Sequence, residues 1–443
     1  MITDSESKSH SHVQNGTLAS EHMLATFSMA RHSQFQAGHE PQVHPNFKLR
    51  SNHVTGPFTF LNPTLAHYAP RDHPTVASPE SEQSPPPTVQ HLWRSRDNRK
   101  GRHALRVRHG LPSDEIKTPP LTRSAPAIFT GIRRMISYAP YWDVSYLVAT
   151  SFTLGSAIWI INAFFVWLPL ANPKTEFSGE SLVGGGVTAF VGATIFEIGS
   201  VLLLLEAVNE NQTGCFGWAF ETVLSKTSED GQPQRARTEL RPDMQDCRHH
   251  HANRRSFLRG RYGRGADSAH TSEDVSRGVS ASDGRSFRWI PSMKELRTHY
   301  FHELGFLASL IQFFSATIFW IAGFTGLPGI YGHLSQGLAD GVYWAPQIVG
   351  GTGFILSGLL FTLETQPKWY IPAWHVLGWH IGIWNFIGGI GFTLCGSLGP
   401  ASAHSGVAYQ STLATFWGSW AFMIGSTIQW YESLQKHPVE KQN

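Results

Sequence analysis

Three glutamates recur at one spacing and are the first residues in the chain that could do chemistry. Each follows a glycine by fourteen residues in the template G-x3-F-x2-[GS]-[SG]-x5-E, and the three are Glu206, Glu364 and Glu432. At about 1.5 Å per helical residue, fourteen residues extend roughly 21 Å, which predicts a position at one end of a membrane helix. A carboxylate there can bind a proton or a cation, or hold a helix pair together through a hydrogen bond.

Each glutamate is predicted to lie beside an acid or a histidine that opens the preceding helix. Aligning the segment from His302 with the segment from His375 places Asp143 opposite both histidines. Since histidine titrates near physiological pH, these pairs suit proton or cation binding. Pinning each hairpin shut is the simpler alternative, and we favour it because water reaches the membrane edge. The expected pairs are Asp143 with Glu206, His302 with Glu364, and His375 with Glu432.

Glu197 differs from these residues because it lies inside the second apolar run. Its counterparts in the other copies of the template are Ile355 and Met423. A carboxyl at that depth must be protonated, paired or turned towards a cavity. It is therefore the candidate site of a transporter, with hydrogen bonding to a neighbouring helix as the alternative.

Catalytic and cofactor motifs are missing from the sequence. His302-Glu303 lacks the second histidine of HExxH because Phe306 stands in its place, and no GxSxG, Walker or complete GxGxxG motif occurs. The three cysteines are far apart without CxxC spacing. We therefore expect no catalytic residue, no cofactor and no metal site, with an unrecognised membrane enzyme as a distant alternative.

The elements that must position these residues are membrane helices. Two polar regions, residues 1–140 and 212–300, hold 31 of the 35 Lys and Arg residues, and the rest of the chain is apolar and rich in Gly, Trp and Phe. Apolar runs of 20 or more residues match a hydrocarbon core about 30 Å thick. The predicted fold is an all-α membrane protein with six transmembrane helices, arranged as three parallel two-helix repeats. The spans are placed near residues 144–168, 185–205, 301–327, 343–363, 374–398 and 410–431.

Six segments follow from this pattern. They are a disordered tail (1–125), hairpin 1 (126–211), a disordered basic loop (212–298), hairpin 2 (299–366), hairpin 3 (367–434) and a C-terminal tail (435–443). Within hairpin 1, residues 128–136 are predicted to lie on the membrane surface before the first span.

Small residues of the template share one helix face, where they let helix backbones approach closely. We expect a packing seam at Gly192, Gly199, Gly350, Ser357, Gly418 and Gly425.

Orientation follows from the distribution of basic residues. The loops after the first, third and fifth spans contain a single basic residue, Lys174, which places both termini, the tail and the basic loop in the cytosol. Expected partners are the lipid bilayer and, through the basic loop, anionic lipid or protein. The loop's arginines could also attract RNA phosphates, but a solvated loop is the simpler interpretation, and no nucleic acid is expected. The plasma membrane and the endomembranes are not distinguished.

The segment Phe416–Gly425 together with Gln429–Glu432 resembles a group of fungal multi-pass integral membrane proteins, whose hairpins are similar to the bacterial YrhK-like domain. The resemblance covers roughly residues 140–225 and 295–435. It implies a membrane location and no established activity.

Two functions remain open at this point. The first is a non-enzymatic protein that organises or scaffolds partners at a membrane. The alternative is a transporter of a small solute, an ion or a proton, with its site at the repeat interface near Glu197. A continuous polar path would favour transport, whereas a dry, fully packed bundle would favour scaffolding.

Overall fold

The computed structural model describes residues 47–55, 64–70, 89–102, 104–107, 116–117, 121–210, 213, 259–260, 287–298, 300–366 and 368–441. Most of the predicted tail and basic loop lies outside these ranges.

Helices dominate the described residues. The short ones are α1 (Ser95–Arg99), α2 (Ala125–Ser137), α5 (Met293–Thr298), α7 (Pro328–Tyr331) and α8 (Gln336–Ala339). The long ones are α3 (Val144–Ala171), α4 (Gly186–Val208), α6 (Leu304–Thr325), α9 (Ala345–Leu363), α10 (Leu377–Leu398) and α11 (Ser405–Ser433). A wider π-helical turn precedes both α4 and α9, at Glu180–Gly185 and Asp340–Trp344.

Membrane embedding is evident from the long helices. Five helical stretches in the described part of the chain are long and apolar enough to cross a bilayer: Val144–Ala171, Glu180–Val208, Leu304–Thr325, Gln336–Leu363 and Leu377–Ala401. Helix α11 is 29 residues long but carries more Ser, Thr and Gln, so its composition alone does not mark it as a span.

The six long helices form a closed ring. Each packs against the next along the chain, and α11 returns to pack against α3. All six predicted seam residues are buried at helix contacts. At Gly350, for example, an added Cβ would lie 2.8 Å from the backbone oxygen of Ser315. Ser357 instead donates its hydroxyl to the carbonyl of Ala308 on α6 at 2.9 Å.

Six aromatic side chains, one from each long helix, fill the centre of the ring. The aromatic cluster consists of Trp159, Phe196, Phe319, Phe354, Phe392 and Phe422, all buried. Trp159 and Phe392 have ring centroids 4.9 Å apart, and Phe196 and Phe422 have centroids 5.5 Å apart. Aromatic side chains therefore fill the centre of the described bundle at this level.

The helix starts shift the predicted alignment of the first span with the third and fifth spans by one residue. Helices α3, α6 and α10 begin after Asp143, Glu303 and Val376, which have similar extended backbone angles. Asp143 thus matches Glu303, not His302, and Val376, not His375. The same register brings Trp159, Phe319 and Phe392 to equivalent places in the aromatic cluster.

A five-stranded sheet lies outside the ring. Strands β1 (Phe47–Thr55), β2 (Thr64–Pro70), β3 (Val89–Trp93) and β4 (Ala104–Val107) pair antiparallel in order, and β7 (Val439–Lys441) adds to β4 in parallel. A second, two-stranded sheet joins β5 (Ile116–Lys117) to β6 (Arg259–Gly260). Strands β1 to β5 and α1 lie within the predicted tail, and β6 and α5 lie within the predicted loop.

Candidate functional site

A short stretch of the N-terminal region, Arg94–Arg102, seats four cationic side chains at one end of the ring. We call it the basic segment. It contains helix α1 and turns at Gly101, whose φ of 60° favours glycine. Arg96, Arg99, Lys100 and Arg102 are all buried, Lys100 to 2% exposure. Charged side chains this deep require partners, because leaving water is costly.

Those partners are the three repeated glutamates, which we call the carboxylate triad. Arg99 donates to both oxygens of Glu364, Nη1 to Oε1 at 2.7 Å and Nη2 to Oε2 at 2.9 Å. Glu432 accepts from Arg96 at 2.5 Å and from Arg102 at 2.7 Å. Glu206 lies 3.6 Å from the Lys100 ammonium. The triad and the basic segment therefore form one buried ionic network.

Two glycines make room for the arginines. A Cβ on Gly305 would overlap Arg99 Nη1 and lie 2.4 Å from Glu364 Oε1. A Cβ on Gly378 would lie 2.7 Å from Arg96 Cζ. Both glycines lie in the first turn of their helices, so a larger residue there would force the guanidinium to shift from its present position.

Charges within the network balance. The four cations face the three glutamates and Asp97, whose Oδ1 accepts from Arg102 at 2.9 Å. Burial opposes ionisation of Arg96, yet Glu432 raises its pKa above the usual value. For Lys100, burial outweighs the attraction of Glu206 and lowers the pKa from 10.5 to about 8. Lys100 is thus the weakest-held charge of the four.

The C-terminal residues hold the basic segment in place. Lys436 Nζ donates to the backbone oxygen of Lys100 at 2.9 Å and lies 2.6 Å from Asp143 Oδ2. Arg94 donates to Glu440 at 3.1 Å. The two described terminal regions therefore meet at the same end of the ring.

The predicted pairings of the glutamates are wrong where the structure describes both partners. Asp143 caps α3 by accepting from the amide of Ser145 and pairs with Lys436, not with Glu206. His375 is exposed, and its carbonyl, not its ring, accepts a hydrogen bond from Arg123. The side chain of His302 lies outside the described part of the chain.

Glu197 lies at the contact between α4 and α6, away from the aromatic cluster. Its Oε1 accepts from Thr317 Oγ1 at 3.0 Å, and its Oε2 accepts from Ser200 at 3.3 Å. It is half-buried beside an exposed threonine. This geometry is that of a side chain linking two helices.

A cavity of about 30 Å³ separates the ionic network from the aromatic cluster. Its polar lining includes Lys100, Gln312, Asn385 and Gln429. Lys100 Nζ has no hydrogen-bond partner among the described residues. The cavity is large enough for one water molecule, which would give that ammonium a hydrogen-bond acceptor.

Sequence reasoning missed the basic segment entirely. Its signal was the run RSRDNRKGR, which matches the charge of three glutamates that had no cationic partners on neighbouring helices. Because its composition is as polar as that of the surrounding tail, the basic segment was assigned to that tail. No His, Cys, Asp or Glu group in the described ranges has the arrangement of a metal site.

No family model, curated protein or solved structure matches the chain.

Proposed function

We propose that the chain is a non-enzymatic, multi-pass membrane protein that organises partners at one membrane face. The single observation that carries this proposal is the aromatic cluster, in which six rings meet at the centre of the bundle. Phe354 and Phe392 are each only 1% exposed, so a solute has no polar route through this level of the described bundle. A bundle whose centre is filled by side chains is better suited to holding partners at the membrane than to conducting a solute.

The proposed membrane arrangement has six spans in three parallel hairpin repeats. Support for the sixth span is the length of α11 and its packing between α10 and α3. Support for the repeat is that equivalent residues meet at two levels, the aromatic cluster and the carboxylate triad. The likeness to YrhK-like hairpins in fungal membrane proteins stays a prediction.

We propose that the end bearing the carboxylate triad faces the cytosol. Among the described basic residues outside the membrane helices, most lie at this end, including Arg288, Lys294, Arg297, Lys368 and Lys436, whereas Lys174 lies at the other. Such a bias favours a cytosolic side.

An organising role is supported by where the polar regions leave the bundle. Asn209, just before the basic loop, and Arg288, near its end, are joined by hydrogen bonds of 2.6 and 2.8 Å. The loop therefore starts and ends at one point, close to the described terminal regions. The proposed partners are proteins or anionic lipids that bind through this loop.

A second candidate is cation transport, favoured by the carboxylate triad itself. Three glutamates and a small cavity lie at one end of the bundle, and among the described residues the basic segment neutralises them. The transport site would then be the triad, because Glu197 is engaged with Thr317 on the outer helix contact.

Reconstituted vesicles separate the two candidates. Wild type, Glu197→Gln and a variant with Arg96, Arg99, Lys100 and Arg102 changed to Gln are compared for proton, potassium and calcium flux. The organising role predicts tight vesicles for all three proteins. Cation flux only in the quadruple variant would establish transport through the triad.

A second measurement tests the organising role directly. Residues 214–286 are replaced by a short Gly-Ser linker, which the closeness of Asn209 and Arg288 permits. Lateral diffusion in cells is compared by fluorescence recovery. We expect faster diffusion without the loop, and equal diffusion of the two proteins would contradict an organising role for it.

A further inference from the structure

Helix α2 has an apolar face that no described residue covers. At about 100° per residue, Ile128, Phe129, Ile132 and Ile136 fall within a single arc of roughly 100°. Phe129 is 71% exposed and Ile136 is 89% exposed. Arg134 lies on the other side of the helix and is also exposed. This distribution is typical of helices that lie in a membrane interface.

The attachment of α2 puts this face where the membrane helices end. Gly131 packs against Tyr431, so closely that a Cβ would lie 2.5 Å from the tyrosine ring. Arg134 donates to the carbonyl of Leu434, just beyond α11. Only six residues, 138–143, separate α2 from α3, and they include the exposed Tyr138 and Tyr141. Tyrosines at this position match an interfacial aromatic belt.

A cleft of about 440 Å³ opens beside the N-terminal half of α2. Its lining includes the apolar side chains of Ile128, Val376, Leu377 and Tyr431. Several arginines line the same cleft. A cleft lined by both kinds of side chain fits a molecule that carries an anionic group and apolar chains.

The outer part of the cleft has excess positive charge. Arg94, Arg106 and Arg123 surround one carboxylate, Glu440, while the deeper charges balance within the ionic network. Burial opposes ionisation of Glu440, but the three arginines, with Arg94 foremost, hold its pKa below the usual value. Arg123 is exposed, and its one described hydrogen bond is to the carbonyl of His375 at 2.6 Å. Guanidinium N–H groups therefore remain for an anion.

We propose that this cleft binds the headgroup of an anionic phospholipid, with α2 lying in the same bilayer interface. The lipid phosphate lies against Arg106 and Arg123, and the acyl chains run along Ile128 and Leu377. This site is distinct from the basic loop and does not depend on the organising role.

Native mass spectrometry of the full chain tests the site. Protein is extracted from bilayers of equimolar phosphatidylcholine and phosphatidylglycerol, and the retained lipids are counted. We expect retained phosphatidylglycerol in wild type and its loss in Arg106→Gln/Arg123→Gln. Lys174→Gln, at the opposite end of the bundle, is the matched control and keeps the lipid. Equal retention by wild type and the double variant, or preferred retention of phosphatidylcholine, would overturn the proposal.

A second arm locates α2 and keeps the test decisive if the double variant folds poorly. Phe129→Cys and Thr130→Cys, with Cys215, Cys247 and Cys395 replaced by serine, are labelled with an environment-sensitive dye in vesicles containing brominated lipid. Position 129 should be quenched and position 130 should not. Quenching at neither position overturns the interfacial placement. Displacement of the retained lipid by inorganic phosphate alone would show a small-anion site and also overturn the lipid assignment.

Discussion

Arg99 and Glu364, 265 residues apart in the chain, are joined by two parallel hydrogen bonds of 2.7 and 2.9 Å in a fully buried position. The arrangement is the bidentate geometry that guanidinium and carboxylate groups favour. It ties the N-terminal region to the membrane bundle, and the stability of that attachment can be measured.

Arg99→Ala should release the basic segment. Removing one partner of a buried pair leaves an uncompensated charge and costs about 3–5 kcal/mol. We expect a lower unfolding temperature in detergent and new trypsin cleavage at Lys100 and Arg102. Arg133→Ala, on the exposed face of α2, is the control and should change neither. Unchanged protection of Lys100 in Arg99→Ala would contradict the network.

Gly305→Ala should have the same effect without changing any charge. The added methyl group would overlap Arg99 Nη1, so the guanidinium must move and its bidentate contact with Glu364 is weakened. Limited proteolysis should show cleavage within the basic segment. The matched control is Gly406→Ala, where nothing lies within 4 Å of an added Cβ. If both variants resist trypsin equally, the close packing of Arg99 on Gly305 is disproved.

Docking of the basic segment should strengthen as pH rises from about 8 to 10.5. Burial lowers the pKa of Lys100 from 10.5 to about 8, so within this window the released segment binds more protons than the docked one. Stability therefore increases with pH in this window, and below it Lys100 contributes no pH dependence because it is protonated in both states. The charged groups facing Lys100 are Glu206, Glu432, Arg96 and Arg99.

Protection of the segment from trypsin, corrected for the pH dependence of the protease on a peptide, measures this effect. Lys100→Met removes the titrating group and should flatten the profile. A profile that is identical in wild type and Lys100→Met would exclude the assignment.

Gly418→Leu should reduce the yield of folded protein. An added Cβ would lie 3.2 Å from the Gly388 carbonyl oxygen and 3.2 Å from the Phe392 ring, so a leucine must push α10 away. Overpacking of this kind costs roughly 1–3 kcal/mol. Size-exclusion profiles in detergent compare it with Ile424→Leu, an exposed position on the same helix. Equal yields of monodisperse Gly418→Leu and Ile424→Leu would show that the packing seam accommodates a large side chain.

Much of the membrane bundle could be predicted from the sequence because helix formation in lipid depends on local composition. Apolar runs form helices in lipid wherever they occur, since each helix satisfies its own backbone hydrogen bonds. The spacing of the template likewise placed Glu206, Glu364 and Glu432 at one level, because helical rise is constant. Small residues at Gly350 and Gly418 indicated close helix contacts for the same reason.

Only the tertiary structure decided what the glutamates bind. Their cations come from residues 96–102, hundreds of positions away from Glu364 and Glu432, and no local periodicity links the two. The partner of Asp143 is Lys436, from the opposite terminus. Charge pairing depends on distance in space and on desolvation, and the sequence of the polar tail contains information on neither. A run of arginines looks the same in sequence whether it is solvated or buried, so its role became evident only when the ring of helices closed around it.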